Sequence, residues 1–118
     1  MNLGRVSSAA LMLSGIAGVV IPDRVADNLG LSAVSPRGVA ETRAGLGGTY
    51  AALGAWGLTS RRREAQAAVG VTWLGAAAAR VLALVLDKPE TDATYWGYLA
   101  AEVGLGALAL RAAAKRGG

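Results

Sequence analysis

The stretch Ala40-Glu41-Thr42-Arg43-Ala44-Gly45-Leu46-Gly47-Gly48 opens a long apolar segment with one carboxylate, one guanidinium and a group of glycines. Charged side chains within an apolar segment normally face the interior of a helix bundle, where they can pair. Small residues such as glycine let a neighbouring helix approach closely. The stretch therefore predicts the start of a membrane helix whose Glu41 faces the bundle and whose glycines pack against another helix.

The composition of the whole chain favours a membrane protein. Its 118 residues suffice for one domain, which we place over residues 1–118. The hydrophobic fraction is 53%, the mean hydropathy is +0.41 and only 17% of the residues are charged, which is little for the surface of a small soluble domain. The abundance of alanine, glycine, valine, leucine and arginine indicates a high-GC bacterial source.

Missing residue types exclude several chemistries. The chain has no cysteine and no histidine, so disulfides, thiolate catalysis and the usual zinc sites are excluded. No nucleophile–base pair is visible, and no cofactor, metal or catalytic residue is predicted. The net charge of +4 is compatible with nucleic acid, but the basic residues lie at segment ends without interleaved aromatic residues. We therefore expect the lipid bilayer, and no nucleic acid, as a partner.

Four apolar segments are separated by polar or charged turns, and they lie at about residues 3–21, 37–59, 65–86 and 93–110. Each approaches the ~20 residues that a helix needs to cross the hydrocarbon core. The predicted fold is therefore all-α, a bundle of four transmembrane helices. Arg80 and Glu102 interrupt the last two segments, so a soluble helical bundle is the alternative, which the distribution of charges disfavours. The first segment is predicted to be a span rather than a cleaved signal peptide, because further apolar segments follow.

A short helix is predicted between the first two spans. It follows Pro22 and has apolar residues on one face and charges on the other, so we expect it to lie on the membrane surface. The apolar face comprises Val25, Ala26 and Leu29. Gly30 is expected to end this helix, and Ser35-Pro36 is expected to begin the next one.

The basic residues predict that both termini lie on the cytoplasmic side of the bacterial inner (plasma) membrane. The inner ends would carry the clustered cations Arg5, Arg61, Arg62, Arg63, Arg111, Lys115 and Arg116. The outer loops would carry only Arg24, Arg37 and Lys88, with acids beside them. We interpret the run Arg61-Arg62-Arg63 as a topology determinant that also contacts anionic lipids. Tyr95, Trp96 and Tyr98 fall at the outer interface, whereas Trp73 lies nearer to the middle of the membrane.

The candidate site consists of the charged residues within the predicted spans, namely Glu41, Arg43, Arg80 and Glu102. All of them fall in the outer half of the membrane, and we expect Arg80 to bridge Glu102 and Glu41. Arg43 lies about 200° around the helix from Glu41, so it is expected to face lipid headgroups or a partner chain. The predicted helix-packing positions are the glycines Gly45 and Gly48, on the face of Glu41, and the pair Gly54 and Gly57.

The charged network has two possible roles: it locks the helices in register, or it lines a polar pocket. The balanced charges favour the structural role. The predicted function is therefore a non-enzymatic scaffold or accessory subunit of an envelope or lipid-transport assembly, in contact with a partner membrane protein or with another copy of the chain. The alternative is a small-molecule or lipid-headgroup binding or transport protein that uses the same charges as an outward-facing pocket. A membrane enzyme acting on lipids is a third hypothesis.

The order of these features resembles an uncharacterised family of small four-helix bacterial membrane proteins, described only as a domain of unknown function. The matching pieces are 22–31 after the first helix, Ala40-Glu41-Thr42-Arg43 with Gly47-Gly48, Arg80 followed by 84–87, and Glu102. The resemblance covers nearly the whole chain. It implies the four-helix fold and the importance of Glu41, Arg43, Arg80 and Glu102, and it implies no activity.

Overall fold

A computed structural model describes residues 3–32 and 34–117, and within these ranges the chain is helical with no strand. The α-helices are α1 (Leu3–Val20), α2 (Pro22–Asn28), α3 (Pro36–Thr42), α4 (Thr49–Thr59), α5 (Arg63–Leu86) and α6 (Ala93–Gly117). A π-helical segment, Arg43–Gly48, joins α3 to α4. The predicted all-α class is confirmed.

The ends of the shorter helices follow from local sequence. The Ser35 hydroxyl accepts a hydrogen bond from the Gly38 amide at 3.1 Å, and Pro36 occupies the first turn of α3, as the sequence predicts. Helix α2 ends in a different way, and Gly30, just after it, has a φ of +74°. The Gly30 amide donates to the Asp27 carbonyl and the Leu31 amide to the Ala26 carbonyl, which is a Schellman motif closed by a left-handed glycine.

The second predicted span is a continuous helix that changes its winding in the middle. The residues at both junctions, Thr42, Arg43, Gly48 and Thr49, keep right-handed helical dihedral angles. Between them the helix widens, and the Thr49 hydroxyl donates to the carbonyl five residues earlier at 3.1 Å. A π-helical turn holds more residues than an α-helical turn, so every side chain after it is rotated relative to a uniform helix.

This rotation corrects the predicted packing face of Gly45 and Gly48. A Cβ atom on Gly45 would meet nothing within 4 Å, and one on Gly48 would meet only a backbone oxygen of its own turn, at 3.8 Å. Gly47 is the buried residue instead, and a Cβ atom there would lie 2.7 Å from the Val19 nitrogen in α1. The 3.6-residue spacing used for the prediction does not hold through a π-helical segment.

Helix α1 packs against the helix over residues 36–59 with the two backbones in direct contact. A Cβ atom on Gly54 would lie 2.6 Å from the Met12 Cα atom, and one on Gly57 would lie 2.6 Å from the Val69 Cγ2 atom in α5. On α1, Gly15 meets the backbone of the opposite helix in the same way. Gly15 and Gly54 therefore set the distance between α1 and the helix over residues 36–59, because no larger residue fits there without moving a backbone. Gly57 instead packs against the side chains of Ser8 and Val69.

Helices α5 and α6 form a hairpin, and α1 packs on both of them. The buried interior is built mainly from small residues and includes the polar residues Ser7, Ser8, Gln66 and Glu102. The Gln66 amide donates to the Gly57 carbonyl, and the Ser7 hydroxyl donates to the Leu105 carbonyl at 2.7 Å. The first bond joins α5 to α4, and the second joins α1 to α6.

Within the described ranges, α5 is the helix that is long and apolar enough to cross a membrane alone. The pair Gly4–Val20 and Pro22–Asn28, bent by 115°, would add a second span if it counts as one. The predicted second segment is one continuous helix over residues 36–59, in which α-helical parts of 7 and 11 residues flank the π-helical segment of 6 residues. Four spans therefore stay a prediction.

We predict that Gly54→Ala lowers the stability of the fold, because its methyl group would push α1 away from α4. The expected loss is about 1–3 kcal/mol of unfolding free energy. The matched control is Gly75→Ala in α5, where a Cβ atom meets nothing within 4 Å. The control should be neutral or stabilising by up to about 1 kcal/mol. Thermal unfolding in a mild detergent measures both, and equal melting temperatures for the two variants would contradict the proposed close packing.

Candidate functional site

A buried ion pair joins α5 to α6 near the α2 end of the bundle. Arg80 Nε donates to Glu102 Oε1 and Arg80 Nη2 donates to Glu102 Oε2, each at 2.9 Å. The Glu102 side chain is 7% exposed and the Arg80 side chain 20%. A bidentate guanidinium–carboxylate pair of this kind satisfies both carboxylate oxygens and fixes the rotation of the two helices about their axes. The predicted pairing of Arg80 with Glu102 is confirmed.

Two tyrosines complete the surroundings of the Arg80 guanidinium. Its Cζ atom lies 5.2 Å from the centre of the Tyr95 ring and 5.4 Å from that of Tyr98. Both distances are within the range of cation–π attraction. The Tyr95 hydroxyl donates to the backbone carbonyl of Arg80 at 2.8 Å. Asp92 accepts a hydrogen bond from the Tyr95 amide at 2.9 Å and so fixes the start of α6 beside the ion pair.

Glu41 does not join this network, so the predicted bridge from Arg80 to Glu41 is wrong. The Glu41 side chain is 72% exposed, and its ionic partner is Arg37, one helical turn earlier, at 4.0 Å. Exposed pairs of this spacing add little stability. Arg43 is also exposed, and its Nη1 atom donates to the Val19 carbonyl in the last turn of α1. Arg43 thus satisfies a carbonyl that the end of α1 leaves without a helical partner.

A cavity of about 490 Å³ lies beside the ion pair, between α1, α2, the π-helical segment, α5 and α6. Arg80 and Glu102 border it together with the polar side chains Ser14, Arg24, Asn28, Tyr50 and Tyr98. Its apolar wall includes Ile21, Val25, Leu29, Leu46 and Trp73. This volume is within the usual range of small-molecule sites, about 300–1,000 Å³, and the mixed lining is typical of them.

A second, smaller cavity of about 130 Å³ lies on the other side of Arg80. It shares Asn28, Leu29, Arg80 and Tyr98 with the larger cavity, and it reaches the acidic residues Glu90 and Asp92 of the loop before α6. We call the larger cavity the chamber and the smaller one the vestibule, and Arg80 borders both.

The cavity contains residues that sequence reasoning missed. Val25 and Leu29 of α2 border the cavity and Ala26 is buried, so the apolar face expected on the membrane surface covers this chamber instead. Tyr50 follows the π-helical segment, and a uniform helix does not predict its direction. Arg24 and Asn28 belong to the charged side of a short helix, and both remain exposed at the edge of the cavity. The alternation of polar and apolar residues in α2 shows that one face of this helix is apolar. It does not distinguish a helix on the membrane surface from one that covers a cavity.

Trp73 is another residue whose place at the cavity was not predicted from the sequence. Its position near the middle of the predicted span is unusual for a membrane tryptophan. In the structure its indole N–H donates to the Ser7 carbonyl at 3.3 Å, and the ring borders the cavity. Ser7 belongs to α1 and Trp73 to α5, so the indole also links two helices at the floor of the cavity.

The remaining predicted residues lie away from this site. Arg61, Arg62 and Arg63 are exposed at the connection between α4 and α5, at the opposite end of the bundle. In the described ranges, no group of three or more histidine, cysteine, aspartate or glutamate residues could hold a metal ion. The arrangement can thus bind and orient a molecule through hydrogen bonds, charge and apolar contact.

Comparison with known families identifies the chain. The family described as "Domain of unknown function (DUF4345)" matches residues 3–113. The chain belongs to the DUF4345 family. The predicted resemblance to an uncharacterised family is thereby confirmed, and the match includes every residue of the ion pair and of the cavity. Neither the curated proteins nor the solved structures gave a match to this DUF4345 protein.

We predict that Glu102→Ala destabilises this DUF4345 protein strongly, because it leaves the Arg80 guanidinium buried without its carboxylate. The expected loss is about 3–5 kcal/mol. The double variant Arg80→Met/Glu102→Leu should recover most of it, because no charge is then left unpaired. Glu41→Ala is the matched control at an exposed carboxylate and should leave the melting temperature unchanged. Thermal unfolding of all variants measures this, and a stable Glu102→Ala protein would contradict a structural role for the pair.

Proposed function

We propose that this DUF4345 protein is an integral membrane protein with four membrane-spanning segments, in the bacterial inner membrane. The distribution of polarity supports this proposal. Large apolar side chains such as Leu13, Val71, Val85 and Leu86 are exposed, while serine, glutamine and glutamate side chains are buried. Only 17% of the most apolar 18-residue window of α5 is buried, whereas the core helix of a soluble protein is mostly buried. An apolar solvent outside the bundle accounts for both observations.

The charges support an orientation with both termini in the cytoplasm. Arg61, Arg62 and Arg63 lie at the same end of the bundle as Arg5 and the basic tail of α6. The ion pair, α2 and the cavity lie toward the other end. In this orientation the cavity is in the outer half of the membrane, and its polar vestibule faces the outer surface.

Within that frame we propose that the protein is a non-enzymatic binding or transport protein for an amphipathic small molecule. One observation carries this proposal: the ion pair borders a chamber of about 490 Å³ instead of being enclosed by packed side chains. A pair that served only to lock helices would be expected in a closed interior. The chamber combines an apolar wall with convergent polar groups, which suits a molecule with one polar end and one apolar part.

A scaffold or accessory role, in an envelope or lipid-transport assembly, is the second candidate. It is favoured by the bidentate pairing, which neutralises both charges, and by an exposed surface of small residues on α6. A Cβ atom on Gly97 or on Gly104 would meet nothing within 4 Å, so a helix of a partner protein or of a second copy has room to approach there.

The membrane orientation is tested with single cysteines, since the chain has none of its own. Thr91→Cys lies in the loop between α5 and α6, and Ala114→Cys lies near the end of α6. We expect a membrane-impermeant maleimide to label Thr91→Cys in spheroplasts, in which the outer surface of the inner membrane is accessible. It should label Ala114→Cys only after lysis. Labelling of both sites before lysis, or recovery of the protein in the soluble fraction, would contradict the proposed orientation and location.

Binding is tested by filling the chamber. Ala76 of α5 borders the cavity, whereas Ala78, two residues later, is exposed on the outside. We expect the wild type, extracted in mild detergent, to retain a small amphiphile that native mass spectrometry detects as an added mass. Ala76→Phe should lose that mass while keeping the wild-type melting temperature, because the ring occupies the space, and the matched control Ala78→Phe should retain it.

The same preparations separate the two candidates. A wild-type protein that carries no small molecule, but copurifies with a membrane protein in constant proportion, would favour the scaffold. In that case Ala76→Phe should leave the copurified protein unchanged, since the chamber is not the contact surface.

A further inference from the structure

We propose that the molecule bound in the chamber is an amphiphile with an anionic head, a carboxylate or a phosphate, placed against Arg24 and Arg80. This inference rests on the proposed binding function and adds the chemical class of the ligand. It is carried by an imbalance between donors and acceptors at the polar end of the cavity.

The charged groups around the chamber are two cations and one carboxylate: Arg24, Arg80 and Glu102. The carboxylate is already used, because each of its oxygens accepts a hydrogen bond from Arg80. Arg80 still has donors to spare, since a guanidinium carries five N–H groups and the pair uses one on Nε and one on Nη2. Arg24 is exposed at the edge of the chamber and makes no hydrogen bond or ion pair with any described residue. The site therefore offers positive charge and donors in excess.

Neutral side chains add to the excess of hydrogen-bond donors over acceptors in the chamber. The Asn28 amide and the hydroxyls of Tyr50 and Tyr98 border the cavity and have no hydrogen-bond partner among the described residues. Each can donate to a ligand oxygen. A carboxylate or phosphate offers several acceptor oxygens and matches guanidinium geometry, so it would satisfy these donors together. A cationic head would meet Arg24 and Arg80 with no free carboxylate in the chamber to offset the repulsion.

The apolar part of the ligand is inferred from the opposite wall. Leu46 comes from the π-helical segment, and Ile21 and Val25 come from the bend between α1 and α2. Together with Trp73 they form a hydrophobic surface continuous with the polar end. A free inorganic anion would use the guanidinium groups and leave this surface without a partner, which favours an amphiphile over a free phosphate or carboxylate ion.

Trp73 provides a local reporter for the test. In a Trp56→Phe/Trp96→Phe background it is the only tryptophan, and it borders the chamber. Energy transfer from Trp73 to a polyene chain then reports binding of parinaric acid and of the corresponding neutral alcohol, with the protein in neutral-lipid nanodiscs. At about pH 9 the acid carries its negative charge. We expect the acid to bind at least tenfold more tightly than the alcohol, as one charged hydrogen bond would provide.

The decisive variant is Arg24→Gln, which removes a cation that makes no hydrogen bond or ion pair within residues 3–32 and 34–117. It should reduce the preference for the acid about tenfold or more and leave the binding of the alcohol unchanged. Arg37→Gln removes another exposed cation, which is predicted to lie on the same side of the membrane but does not border the chamber, and it should leave the preference unchanged. This control separates a contact in the chamber from a general effect of surface charge.

The outcomes distinguish the two proposals. Equal binding of acid and alcohol, or an equal loss of preference in Arg24→Gln and Arg37→Gln, would overturn the anionic head while the binding function stands. Energy transfer with neither probe would overturn the binding function itself. Displacement of the acid by inorganic phosphate at a concentration that leaves the alcohol bound would identify a free anion as the ligand and overturn the amphiphile.

Discussion

The end of the bundle that α2 covers depends on the neutralisation of one buried carboxylate. Glu102 lies in α6 with 7% of its side chain exposed, where an unpaired charge would be costly. Arg80 supplies both hydrogen bonds, and two tyrosine rings flank the guanidinium. The arrangement fixes how α5 and α6 face each other, and it also leaves donors of Arg80 directed away from its partner. A single interaction therefore determines both the helix register and the polar end of the chamber.

The chamber lies on the α2 side of two close helix contacts. Helix α1 and the helix over residues 36–59 touch through glycines, and α5 and α6 also approach closely, since a Cβ atom on Gly70 would lie 3.1 Å from the Gly106 carbonyl oxygen. A space remains toward the end that carries Arg80 and Glu102, and α2 borders it because the chain turns by 115° after α1. The Schellman motif at Gly30 then ends α2 just beyond the residues that border the space.

Much of this architecture could be predicted from the sequence because its determinants are local. Ser35-Pro36, Gly30 and the apolar segments each act within a few residues, and the opposite charges of Arg80 and Glu102 lie on adjacent helices. The position of Glu41, the burial of Gly47 and the direction of Tyr50 could not be predicted, because they depend on the π-helical winding between Arg43 and Gly48. The chamber could not be predicted from the sequence either, because a cavity depends on how the helices pack and which space they leave unfilled. An amphipathic α2 did not indicate which surface its apolar face would meet.

The connection between α5 and α6 has a consequence for biosynthesis. The loop 87–92 is short, so Arg80 and Glu102 are carried by one hairpin. In the membrane environment proposed above, each charge entering the hydrocarbon alone would cost roughly 3 kcal/mol. A hairpin that forms the ion pair at the translocon presents a neutral unit to the lipid instead. The hairpin is then the unit that inserts, because the Glu102 carboxylate of α6 neutralises the Arg80 charge of α5.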